Sequence, residues 1–348
     1  MKKVLSLAIA AALVAPVAAM ADATLYGKAH FAVVNTDIDD GNPATDDQDV
    51  WSTDSVFSRF GIKGSEDLGG GLTAVYQFEF QVNPDAGSTL NNRNQFIGLA
   101  GGFGTFLAGR HDTPMKMSQG KFDVFPDQNY TGVKGGDIAG LIPGDDRVGN
   151  VLAYVSPSMG GLTFVGAAVA GEQPGLDLTG IADHYSIAGM YSNGPIYAAL
   201  AYNGYDLGTA VDASPKEIRG TFVWMGNGWQ AGVMYNSFDP DITGLDNSDA
   251  IGVSGSFNFT PNDKIKAQYV MADAPVLRIG DLIAGFNPNI TLSATVPSVD
   301  TDTDQMTVGY EHSFSKRTSA YASYSAYEED FTGGMSSDVM MFGLVHNF

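Results

Sequence analysis

From Ala23 onward, apolar residues recur at every second position, which is the pattern of a strand with two unlike faces. In the stretch 25–33, Leu25, Ala29, Phe31 and Val33 fall on one face and Lys28 and His30 on the other. Between Leu72 and Val82 the division is sharper: Leu72, Ala74, Tyr76, Phe78, Phe80 and Val82 oppose Thr73, Gln77, Glu79 and Gln81. About ten alternating residues is the length of a strand that crosses a bilayer. A soluble sandwich alternates too, so the connections have to decide. Sixteen such segments can be marked, from Thr24–Val34 to Val339–Phe348. Short Gly-, Asn- and Asp-rich turns, such as 67–71, 101–104, 193–194 and 226–228, alternate with long loops. Those residue types accept the positive φ of tight hairpins. The pattern predicts an all-β fold, a transmembrane antiparallel β-barrel of 16 strands with short periplasmic turns and long extracellular loops. Tyr185, Tyr191, Trp224, Trp229, Tyr235, Phe257 and Phe259 fall near the expected strand ends on the apolar face, as in the aromatic girdles of such barrels.

One connection breaks the rhythm. Residues 111–149 run for nearly forty residues with no helical or strand pattern. They carry Lys116, Lys121, Lys134, Asp123, Asp127, Asp137, Asp145 and Asp146. A connection of that length in a compact chain is functional or disordered. If the rest of the chain is a tube, this segment is expected to fold inward and narrow it.

Composition fixes the compartment. Lys2 and Lys3 precede an apolar run over residues 4–19 and the small-x-small site Ala19-Met20-Ala21. The run is too short to span a bilayer, so residues 1–21 read as a cleaved signal peptide and 22–348 as one barrel domain. Cleavage leaves 16 basic against 39 acidic residues, a net charge of −23, which makes nucleic acid an improbable partner. There is no Cys, so no disulfide framework supports the exported chain. The five His residues show no metal-ligand or metalloprotease spacing, and no Gly-x-Ser-x-Gly run occurs. No enzyme activity and no cofactor are expected. Between residues 37 and 54 the chain is strongly acidic, with Asp37, Asp39, Asp40, Asp46, Asp47 and Asp49. A solvated outer loop accounts for them, and a loop-bound divalent cation such as calcium is the sharper alternative on ligand chemistry.

Parity places Lys28, Arg59, Lys63, Arg93 and Arg147 opposite the apolar positions, hence in the lumen. Asp123 and Asp127, midway along the long connection, are the best-placed opposing carboxylates. The plainer alternative pairs these basic residues with Glu66, Asp67 and Glu79 on adjacent strands. Basic residues facing an acidic loop would set a transverse field across the bore.

At these positions the chain resembles a known family. Leu25-Tyr26-Gly27-Lys28, Ser58-Arg59-Phe60-Gly61-Ile62-Lys63-Gly64, Arg93-Asn94-Gln95-Phe96-Ile97-Gly98-Leu99, Gly104-Thr105-Phe106-Leu107-Ala108-Gly109-Arg110 and the ending Gly343-Leu344-Val345-His346-Asn347-Phe348 are similar to Gram-negative general diffusion porins. The resemblance implies a sixteen-stranded outer-membrane barrel, a homotrimer and a third loop folded into the bore. It further implies that Lys28, Arg59, Arg93 and Arg147 face an acidic loop. The Pro-Glu-Phe-Gly-Gly run of enterobacterial members is absent, which leaves open which carboxylates face them. His346 stands where an aromatic is often found. The partners so implied are outer-membrane lipids and lipopolysaccharide, two further copies of the chain, and small hydrophilic solutes and ions.

The expected function is passive diffusion through a water-filled channel in the outer membrane of a Gram-negative bacterium. Acidic mouths predict a mild cation preference at low salt that fades as salt rises. A solute-selective channel, a surface adhesin or structural barrel, and a barrel lipase are the alternatives. Saturable current, loop-dependent adhesion and phospholipid hydrolysis would respectively distinguish them.

Overall fold

A computed structural model describes residues 23–39, 48–84, 90–128, 136–138, 141–210, 213–243, 246–274, 301–330 and 334–348. The expected signal peptide, Asp40, Asp46, Asp47 and Lys134 lie outside these residues. The described strands are β1 (Thr24–Asp39), β2 (Gln48–Ser55), β3 (Arg59–Gly69), β4 (Leu72–Val82), β5 (Leu90–Gly101), β6 (Gly104–Asp112), β7 (Arg147–Val155), β8 (Leu162–Val169) and β9 (His184–Asn193). They continue as β10 (Ile196–Tyr205), β11 (Lys216–Met225), β12 (Trp229–Asp239), β13 (Ser248–Asn258), β14 (Asp263–Ala274), β15 (Thr301–Ser313), β16 (Thr318–Asp330) and β17 (Ser336–Asn347). A short helix, α1 (Pro114–Ser118), opens the long connection.

Apart from β2 and β3, which do not pair with each other, each strand pairs antiparallel with its sequence neighbours, and β1 pairs with β17 from Lys28↔Asn347 to Asp39↔Ser336. The sheet is therefore closed. Paired backbone bonds between Gly27 and Phe348, both 3.0 Å, seal the seam. The seventeen segments make sixteen staves, because β2 and β3 are one stave that pairs along β1 and breaks at residues 56–58, where Phe57 takes φ 52°. Short turns join β3–β4, β5–β6, β9–β10, β11–β12, β13–β14 and β15–β16 at one rim, and Gly69, Gly70 and Gly194 supply the positive φ these turns need. Long connections lie at the other rim.

The wall is greasy outside. Ile62, Phe78, Ile97, Phe106, Leu152, Leu200, Ile251 and Phe342 are all exposed large apolar side chains. Gln268, Gln305, Thr307 and Ser325 on the opposite face are buried. That inverts a soluble core and suits lipid as the outer solvent. Of the expected girdle residues, Trp224, Trp229, Phe257 and Phe259 gather near the short-turn rim, while Tyr235 stands well inside β12. Two boundaries differ from the sequence reading. The long connection spans residues 113–146, since His111 and Asp112 belong to β6 and Arg147 to β7. The acidic stretch is no free loop where it is described: Asp37 and Asp49 are cross-strand partners in a β1–β2 hairpin, and Asn35 Nδ2 donates to Asp49 at 2.6 Å. Among the described residues no group of three or more His, Asp or Glu side chains is arranged to hold a metal ion.

Candidate functional site: the constricted bore

The long connection folds against the inner wall. Thr113 caps α1 by accepting a bond from the Lys116 N–H at 3.2 Å, and Pro114 sits where a helix needs no donor. Ser186 of β9 donates no part of this cap; its hydroxyl instead accepts the Met115 N–H at 3.0 Å. Tyr197 of β10 donates to the Ser118 carbonyl at 3.0 Å. Beyond the helix, Phe122 packs with Ile138, Leu141 and Ile142 on Val223, Met234, Ala250 and Val270 of β11–β14. This inner wall was expected to be polar. It is apolar because the loop, not water, covers it. Gly252 makes room for the packing: a Cβ there would come within 2.6 Å of the Phe122 ring.

The loop is also fastened by charge. Arg219 of β11, with a side chain 0% exposed, donates to Asp145 at 2.5 Å, to the carbonyls of Pro143 and Met115, and to Asn236 at 3.0 Å. Gln268 reaches the loop twice, accepting from the Val124 N–H and donating to the Gly136 carbonyl. A buried cation this fully bonded positions its partners closely, because any displacement leaves charge unpaired.

Past this anchor the loop spans the bore. Asp127, at φ 62°, meets the opposite wall, where Lys28 Nζ donates to it at 2.8 Å and both Arg59 Nη atoms reach its two oxygens at 3.0 Å. Burial alone would raise the Asp127 pKa, but Arg59 and then Lys28 outweigh it and hold the carboxyl well below its usual range. Ser323 of β16 donates to Gln128 at 2.9 Å beside this contact. Asp123 goes elsewhere. It is buried with its Oδ1 accepting the Phe125 N–H at 2.8 Å, and burial together with Asp137 raises its pKa well above the usual carboxylate value. Of the two expected carboxylates, only Asp127 faces the basic cluster.

The remaining basic residues take partners from the wall. Arg93 donates to Glu79 at 2.6 Å, and Tyr26 donates to the same carboxylate at 3.0 Å. Arg147 pairs with Asp112 at 2.9 Å and with Asn94 at 2.8 Å. So the wall-pairing alternative holds for Arg93 with Glu79, Arg147 pairs instead with Asp112, which was not among the expected partners, and the loop-facing arrangement holds for Lys28 and Arg59. Ladder irregularities sit at each point. One bulge lies between Phe78 and Phe80, around Glu79, and another lies between Gly109 and His111, while the β2/β3 break precedes Arg59. Bulges re-aim side chains. Arg93 shares parity with the outward Ile97 and Leu99, and it is the first bulge that turns it inward. Lys63 is different: it stands exposed midway along β3, opposite Thr24 at the start of β1, with Nζ 4.9 Å from the centre of the Tyr26 ring, outside the constriction.

An open cavity of about 580 Å³ remains between loop and wall, lined by Lys28, Arg93, Lys116, Asp127 and Arg147 and, from the far side, by Lys264, Lys266 and Glu311. The sequence reading missed those last three. Their signal was present, since Lys264, Lys266 and Gln268 alternate with Ile265 and Ala267 along β14.

The profile of the family described as Gram-negative porin matches residues 7–332. The chain is 29% identical over 327 residues to the major outer membrane protein P.IB of Neisseria gonorrhoeae, spanning 88% of this chain and 89% of that one. It is 26% identical over 285 residues to outer membrane porin protein 32 of Delftia acidovorans, spanning 76% and 72%. Among solved structures, an anion-selective porin from Comamonas acidovorans superposes with a TM-score of 0.72 at 21% identity, over 94% of this chain and 100% of that one.

Proposed function

Because the chain belongs to the Gram-negative porin family and is an outer-membrane channel for passive diffusion, we propose that Lys28, Arg59, Arg93, Arg147 and Asp127 form its selectivity-setting constriction. The observation that carries this is Asp127: a loop that packs dry on one wall places one carboxylate against two cations of the other. Charges fixed on the lining of a hydrated bore act on every passing ion without binding it for long. No catalytic step is needed, and the family's relatives are channels. The long connections face the cell exterior, the short turns the periplasm, and three copies assemble in a bilayer whose outer leaflet carries lipopolysaccharide.

Ion preference follows from two regions of opposite sign. The chain as a whole is strongly acidic, which favours cations at the mouths over about 8 Å at physiological salt. The constriction counters this with basic groups that outnumber their carboxylates. A mild cation preference at low salt, fading as salt rises, is the outcome. Single-channel recording of refolded protein tests the whole reading: conductance arriving in steps of three and a cation-side reversal potential at low salt support it. Ohmic steps that are always single contradict the trimer, and an anion-side reversal potential at low salt contradicts the preference.

A further inference from the structure

The β14–β15 wall of the bore carries a second basic site that the constriction does not require. Lys264 and Glu311 are direct cross-strand partners on β14 and β15, and Lys266 lies one inward position further along β14. Glu311 receives Lys266 at 3.1 Å and Lys264 at 3.8 Å, so two ammonium groups share one carboxylate. Across the cavity, Lys28 and Arg59 likewise share Asp127. Each group therefore keeps one positive charge in excess. Lys28 and Asp127 line the same cavity as Lys264, Lys266 and Glu311, so the two groups border one continuous space. That space holds about 580 Å³, within the range of small-ligand sites, and opens to solvent.

A single anion can neutralise only one of these excesses. We propose that the bore binds small dianions between the Lys264–Lys266 pair of β14 and Lys28, whose shared carboxylate Arg59 already neutralises, and that this retention makes the channel favour doubly charged anions over monovalent ones. Lys266 is held in place from two sides, by Glu311 and by the Phe125 ring 4.8 Å from its ammonium. Lys264, with 37% of its side chain exposed, is free to swing toward a solute. Ammonium groups suit this task because they are compact point charges with rotatable donors, whereas a guanidinium would fix one geometry. The two cation groups also differ in screening: both lie inside the wall, so their pull persists at salt levels that silence the acidic mouths.

The inference rests on the channel reading, and one experiment separates the two. Single-channel current of refolded protein is followed in potassium chloride at pH 8 as chloride is exchanged for inorganic phosphate at constant ionic strength. Current that falls along a saturating curve, with the half-effect concentration raised about tenfold in K264Q/K266Q, supports the site; tenfold is the loss of one charge-assisted contact of about 1.4 kcal/mol. Should the double variant fail to insert, K264Q alone removes only the exposed ammonium and is expected to give about a threefold rise. Lys63→Gln leaves the curve where it was. Wild-type current that tracks bulk conductivity without saturation, or an unchanged half-effect in K264Q, overturns the dianion site while leaving the channel intact. An absence of any conductance overturns both.

Discussion

Two ion-pair clusters hold the same loop and do different work. At Arg219 the pair with Asp145 is sealed, at 0% and 6% side-chain exposure, and every donor is directed to a fixed acceptor. At Asp127 the partners Lys28 and Arg59 keep 15% and 22% exposure, and Lys28 and Asp127 border an open cavity. The chemistry is alike; access to water separates them. A sealed pair can only fasten, because no solute reaches it. A wetted pair keeps hydration and a field, so it can act on ions while holding the loop tip.

That contrast predicts the ranking of substitutions. Arg219→Ala leaves Asp145 and two carbonyls unpaired in a dry setting, and removing one partner of a buried pair typically costs ~3–5 kcal/mol. The expected result is a large drop in the denaturant midpoint of the refolded protein, with noisier and larger conductance as the loop lifts from the wall. An unaltered midpoint would break the distinction between the clusters. Next comes Asp146, beside the sealed pair. Its buried Oδ2 has no hydrogen-bond partner, and burial together with Asp145 pushes its pKa up to about 6. A carboxyl whose folded pKa is raised loses stabilising power as pH climbs from its unfolded value of about 4 to about 6. Asp146→Asn should therefore stabilise the protein at pH 7, by no more than ~3 kcal/mol, and leave it unchanged at pH 4. Equal effects at both pH values would show that Asp146 is ordinary.

At the wetted cluster the effects are on selectivity. Asp127→Asn frees Lys28 and Arg59, and reversal potentials should move toward anions, with a permeability ratio changed roughly threefold at an effective dielectric near that of a protein surface. Since the Asp127 carboxyl is held well below its usual range, its contribution is present at neutral pH and lost only as pH falls through that depressed value. In salt high enough to screen the mouths, the selectivity set by this cluster should stay flat from pH 7 to pH 5 in the wild type. Arg59→Gln with Arg93→Gln should move the ratio the other way, toward cations, by a similar or smaller factor, because Arg93 is already balanced by Glu79. Lys63→Gln should change least, its ammonium lying over Tyr26 at the rim.

Much of this was readable from the chain. The two-faced alternation of Leu72–Val82 is a direct consequence of a wall with lipid on one side, and it gave β4 its full extent. Lys28, Arg59 and Arg147 lie inward as parity predicted, although a break precedes Arg59 and a bulge follows Arg147. Arg93 was also expected inward by parity, but it shares parity with the outward Ile97 and Leu99, and it reaches the bore only because a bulge around Glu79 shifts the count, which leaves no mark in the residue types. The pairing of Asp127 rather than Asp123 was likewise hidden. Four residues of irregular chain, with Asp127 in the left-handed region, carry no periodicity from which direction can be read. The upper β1–β2 hairpin escaped notice because Asp37, Asp39 and Asp49 all fall on the outward face, the face that carries Phe31 and Val33 lower down, so the apolar half of the alternation disappears where the sheet leaves the greasy zone. The apolar inner wall under the loop was missed for the converse reason: Val223 and Phe222, or Met234 and Val233, are apolar on both sides of the strand.

The most direct test of a loop folded across a wetted bore uses the absence of native Cys. Asp127→Cys and Ile62→Cys are each inserted in a planar bilayer and exposed to a charged, membrane-impermeant thiol reagent. The account predicts stepwise loss of single-channel conductance at Asp127→Cys and none at Ile62→Cys, whose side chain faces lipid. Conductance untouched at Asp127→Cys, or blocked at Ile62→Cys, would contradict it.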